Sequence, residues 1–133
     1  MFMLGFPLLL IPFAIYNIIA FLMPGVAWSS VVSTVHMMSG VDWTMTTGDV
    51  LVALAILLLC GEVMKSSRIS RRTIIDHALS LILFLGMLIE FILVKQAATA
   101  TFFLLLVVGF IDVLGGFAVT LRSAQRDLTV EGV

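Results

Sequence analysis

Residues 73–121 form an almost unbroken apolar stretch, interrupted by charge only at Asp76, Glu90, Lys95 and Asp112. One crossing of a ~30 Å hydrocarbon core takes about 20 residues of helix. A single helix over 73–121 is more than twice too long. The stretch must fold back on itself, and Lys95, Gln96 and Ala97 are the place for the turn. The expected result is a tight antiparallel hairpin of two spanning helices, at about 73–94 and 98–121.

The rest of the chain follows the same logic. Of its 133 residues 62% are hydrophobic and 11% charged, whereas ordinary soluble domains have about 45–50% and 25%. A single domain of this length cannot bury that much apolar surface, so lipid must cover the excess. Two further spans are expected. Residues 4–23 are long enough for one crossing and stop at Pro24-Gly25. Residues 48–65 become adequate once Thr47, Gly48 and Asp49 form a first turn and Glu62 and Lys65 reach to the membrane surface. No basic residue precedes Lys65, so the first segment lacks the basic start of a signal peptide and reads as a retained helix. Pro7 and Pro12 suggest that this helix is kinked, with Pro12 and Tyr16 on one face and Asn17 able to hydrogen-bond across helices.

Residues 24–47 carry a different pattern. Trp28, Val31, Val35 and Met38 recur at helical spacing, and Ser29, Ser33 and His36 fall on another face. With Trp28 and Trp43 as interfacial aromatics, this predicts an amphipathic helix on the membrane surface. The fold class expected is an all-α integral membrane protein, four transmembrane helices in a bundle, with that interfacial helix between the first two.

Orientation follows from the basic residues. Lys65, Arg68, Arg71 and Arg72 lie between the second and third spans, Arg122 and Arg126 follow the fourth, and Lys95 alone is on the other side. This bias predicts both termini in the cytoplasm of a cell (inner) membrane, a basic cytoplasmic loop that attracts anionic headgroups, and a short solvated tail at 122–133.

Ionisable residues inside a bilayer are candidate sites by default. Asp112 stands near the middle of the fourth span, on a face with Gly109, Gly116, Thr120 and Ser123. Small residues at that spacing admit a close helix neighbour. Asp112 therefore faces a helix contact, either as hydrogen-bonded structural glue or as a proton or cation site. Glu90 shares a face with Asp76, Leu83 and Met87, and reads either as a side chain reaching for the outer surface or as an outer station leading to Asp112. Glu62 precedes Lys65 by three residues, suited to a local ion pair. Glu62, Asp76, His77 and Asp112 fall in the same half of the membrane and could converge on protons or a divalent metal. No metal-binding motif supports the metal. A bis-His haem is unlike this chain, because His36 and His77 belong to opposite sides. Cys60, the lone cysteine, reads as a small buried apolar residue and forbids an intrachain disulfide.

These features predict no cofactor and no nucleic-acid partner, since net charge is −1 and nucleic acid demands a basic patch. No nucleophile–base pair or phosphate loop suggests an enzyme. The first functional expectation is a homo-oligomeric transporter or channel for protons, cations or small solutes. Its subunits would meet through the glycine face around Asp112. The alternative is an accessory or scaffold subunit of a larger membrane complex.

Overall fold

The computed structural model describes residues 7–66 and 71–131; for 65, 66, 71–73, 119, 120 and 122–131 it describes the backbone alone. The described chain is mostly helical. It has four α-helices, α1 (Leu10–Leu22), α2 (Thr47–Ser66), α3 (Arg71–Leu93) and α4 (Ala100–Glu131), and a two-stranded antiparallel sheet of β1 (Val31–His36) and β2 (Asp42–Thr46). A 3-10 turn over Lys95–Ala97 joins α3 to α4 where the sequence expects the reversal. Three stretches, Thr47–Met64, Ile74–Leu93 and Ala100–Ala118, are long and apolar enough to cross a membrane.

The segment expected as the first span departs from this. Its helix has 13 residues, ~20 Å at 1.5 Å per residue, short of a full crossing; residues 4–6 lie outside the described chain. The prolines explain the late start. Pro12 falls in the first turn, where a missing N–H disrupts a helix least. It thus suits the start of α1. The carbonyls of Pro7, Leu8 and Leu9 accept the N–H groups of Leu10, Ile11 and Phe13.

The surface helix expected within 24–47 is a β-hairpin instead. Val31, Val32, Thr34, Val35, Thr44 and Thr46 are β-branched and favour extended backbone. Gly40 supplies the turn at φ 91°, a conformation open to glycine. The helical spacing is ambiguous, because a step of four such as Val31 to Val35 returns to the same face of a regular strand as well, although the bulge here sets Val31 opposite Thr46 on the other face. Ser33 pairs with Met45, Val35 with Trp43, and Thr34 with Thr44, after a bulge that leaves Val32 unpaired. Val35, Trp43 and Met45 therefore share one face, and Thr34, Thr44, His36 and Asp42 the other. His36 is a strand residue and not part of a helix. Its Nδ1 lies 2.6 Å from the Asp42 carboxylate across the strands.

The hairpin runs directly into α2. The Thr46 hydroxyl accepts the Asp49 N–H at 3.1 Å, and the Asp49 carboxylate accepts the Thr46 N–H at 3.0 Å. This is a reciprocal capping box at the helix start.

Helix α4 is the centre of the bundle and packs against both α2 and α3. Of its apolar stretch 44% is buried, against 22% for α2 and 17% for α3, so those two present most of their surface to the surroundings. Helix α4 also continues to Glu131, whereas the sequence reading ends the span at 121 and leaves a tail. Cys60 is exposed on α2, not buried, because it lies on the side of α2 away from α4.

Candidate functional site: a buried acidic seam at one end of the bundle

The two ends of the bundle are set by three contacts. Leu8, ahead of α1, meets Gly61 and Glu62 near the end of α2. His77, early in α3, meets Gly116, near the end of the apolar stretch of α4. At the opposite end Gly48, in the first turn of α2, meets Thr101, in the first turn of α4. Helices α2 and α4 thus start at the hairpin end, while α1 and α3 run against them.

Helices α3 and α4 engage in layers seven residues apart. Phe91 stacks on Phe102 with ring centroids 6.0 Å apart. Phe84 lies against Gly109, where an added Cβ would stand 3.4 Å from its ring. His77 lies against Gly116, where an added Cβ would stand 2.3 Å from Nδ1. A seven-residue repeat is the signature of a shallow left-handed crossing. Two of the three layers set a large ring on α3 against a glycine on α4. The glycine face expected to meet another subunit is therefore filled within the chain.

Asp112 stands on α4 between the Gly109 and Gly116 layers and is 6% exposed. Asp76, on α3, is 2% exposed, and Ser80, one turn on, is also buried. Asp76, Ser80, Leu83, Met87 and Glu90 step by three and four along α3, so the face anticipated from the sequence is the one turned inward. Glu62, on α2, is 1% exposed and accepts the Leu8 backbone N–H. A carboxylate there satisfies an N–H ahead of α1 and faces the positive end of that helix. The local pair expected with Lys65 falls outside the described residues, because the Lys65 side chain is not among them. Nor are those of Arg68, Arg71, Arg72, Arg122 and Arg126.

The described chain thus brings Glu62, Asp76, His77 and Asp112 to one end, on three different helices. His77 is half-buried, and its Nε2 has no hydrogen-bond partner among the described residues. Among those residues no group of three or more Asp, Glu, His or Cys stands close enough to hold a metal ion.

Glu90 is not part of this group. It lies fourteen residues from Asp76 along α3, ~21 Å by helical rise, near the hairpin end. Its Oε2 is buried without a hydrogen-bond partner among the described residues, and it forms no ion pair with Lys95. Between Glu90 and Asp112 the interior is apolar, with Met87, Leu105 and Leu106 buried.

The sequence reading missed the polar lock beside Glu90. Tyr16 is fully buried. Its hydroxyl donates to the Gln96 carbonyl at 2.8 Å and stands 2.7 Å from Thr99 Oγ1. A carbonyl only accepts, so Thr99 must be the donor to Tyr16. Thr99 Oγ1 in turn accepts the Phe102 N–H at 3.1 Å and caps α4. Trp28 stacks on the Tyr16 ring at 4.5 Å. The available signal was a buried-type Tyr on the Pro12 face, with Thr99 preceding an apolar helix. No family model, curated protein or solved structure matches the chain.

Proposed function

We propose that the chain is a small multi-pass protein of the cell (inner) membrane that moves protons or small cations through its buried carboxylates. Asp112 is the central station. Glu62, Asp76 and His77 serve the mouth beside it, and Glu90 serves the far mouth across the apolar layer of Met87, Leu105 and Leu106, which water must enter for a proton to pass. One observation carries this reading: carboxylates on three helices, at most 6% exposed, lie at one end of the bundle and away from its lipid-facing surface. Ionised side chains are costly in such a place and are retained where they act. Protons suit the seam better than a divalent metal, since the described groups form no chelate. The pathway runs inside one chain, because α3 occupies the glycine face of α4. A second copy packs through the outer faces of α2 and α3. Both termini lie in the cytoplasm with the basic loop.

The test is proton flux into liposomes carrying the purified protein, read with an enclosed pH-sensitive dye. Asp112→Asn keeps hydrogen-bonding capacity and removes the ionisable group, so flux is expected to fall to the empty-liposome rate while the oligomer elutes unchanged. Unaltered flux would sink the reading. A second reading, an accessory or scaffold subunit without activity of its own, draws on the projecting hairpin, whose strands leave both outer edges unpaired. Stoichiometric co-purification with a larger complex, with no flux from the isolated chain, would favour it.

A further inference from the structure

A groove of about 460 Å³ lies at the hairpin end, between α2 and α4, within the ~300–1,000 Å³ typical of small-molecule sites. Trp43 overhangs it from β2. Thr46 and Asp49 line its upper part, and Val52, Ile56 and Leu104 its lower part. Ile56 and Leu104 are exposed, so the groove opens sideways on the surface that a bilayer would cover. From Asp49 to Ile56 it descends ~10 Å along α2 by helical rise. It is therefore polar at the level of the helix starts and apolar below, the profile of an amphiphile standing upright in one leaflet.

The charges narrow the choice. Asp49 is the one charged residue lining the groove, and no Lys or Arg lines it. An anionic headgroup would meet the carboxylate unfavourably, whereas an ammonium would be attracted. Ala100 and Thr101 also line the groove. They precede the first intrahelical bond of α4, because the Thr99 side chain and carbonyl take the N–H groups of Phe102 and Phe103. Their own N–H groups favour a phosphate at that helix end. A carboxylate and a helix N-terminus on one groove match a zwitterion.

We propose that this groove is a binding site for a zwitterionic phospholipid with a primary ammonium headgroup, an ethanolamine lipid of the surrounding leaflet. The ammonium donates to Asp49, the phosphate faces the start of α4, and one acyl chain lies along Val52, Ile56 and Leu104 beneath Trp43. A choline headgroup has the same charge but no N–H to donate. The site rests on the membrane reading and is independent of proton movement.

The experiment is native mass spectrometry of the full chain, released from detergent with equimolar ethanolamine, choline and glycerol phospholipids of identical acyl chains. The ethanolamine lipid should be retained about tenfold over the glycerol lipid, as expected of one charge-assisted hydrogen bond in a partly hydrated site. Choline lipid should fall between. Asp49→Asn keeps an acceptor for the Thr46 N–H and should bring ethanolamine and choline lipids to equal retention. Ala53→Trp fills the groove and should remove all three. Equal retention of the three lipids by the wild-type chain would overturn the site, as would headgroup selectivity that survives Asp49→Asn. Asp112→Asn should bind lipid normally whatever its effect on flux, which separates this proposal from the functional one.

Discussion

The two ends of the bundle solve the same problem by different means. Both hold polar groups close to apolar helices. At the hairpin end most of these groups are hydrogen-bonded: Thr46 and Asp49 cap α2 and Thr99 caps α4 through local bonds, and Tyr16 links the α3–α4 turn to α1 across 80 residues of chain. At the other end they are carboxylates on separate helices, buried where α3 and α4 close on a glycine face. Hydrogen bonding of this kind ties the first end together. The second end places ionisable groups in a costly setting, which is the arrangement expected where a protein spends stability on function.

Changes that separate the ends should differ in size. The largest effect is expected from Gly116→Leu, since even a Cβ there falls 2.3 Å from the His77 ring. Helices α3 and α4 must splay, and overpacking of this kind costs about 1–3 kcal/mol or more. Thermal unfolding in detergent should show a large drop. Gly115→Leu is the control: a Cβ at Gly115 meets nothing within 4 Å, so the melting temperature should hold. Similar losses from both variants would mean that α4 is not seated on α3 as described.

Tyr16→Phe comes next. It keeps the ring stack on Trp28 but removes the hydroxyl shared by Gln96 and Thr99. A loss of about 0.5–1.5 kcal/mol per bond is expected, because two part-buried hydrogen bonds are removed. Hydrogen exchange should quicken at the α3–α4 turn and remain unchanged around Asp76. Faster exchange at both ends would erase the distinction between them.

Thr46→Ala removes half of the capping box and should cost about 1 kcal/mol, with fraying confined to the first turn of α2. The smallest effect belongs to His36→Ala. The pair it breaks is exposed, 73% and 64% at the two side chains, and exposed pairs contribute about 0–1 kcal/mol. Salt titration of the wild-type chain should reveal no more than that. A large loss would show that the hairpin tip is held by something beyond its own strands.

Much of the fold was legible because hydrophobicity and length act locally. The turn at Lys95, the start of α2 near Thr47, and the inward face through Asp76, Leu83, Met87 and Glu90 follow from spacing alone. Residues 24–47 were misread because Val31 and Val35 fit both a helix and a strand, and β-branching was given too little weight. The first helix was read too long because apolar content hides where prolines let a helix begin. Of the site, the residue types were visible and their partners were not. Nothing near Glu62 in sequence points to Leu8, 54 residues away.

The sequence by itself determined that the chain is apolar enough to belong in a membrane, where it must turn back, and which few ionisable groups it carries into the apolar region. Those outcomes depend on transfer free energy and chain length, which add up residue by residue. Only the tertiary structure decided that α4 is the central helix, that Gly109 and Gly116 receive rings from α3 of the same chain, and that the acidic groups share one end while Glu90 keeps the other. Those outcomes depend on which helix faces meet. Packing of that kind is a property of shape between elements distant in the chain, and apolar faces alike in composition do not distinguish their partners until they interlock.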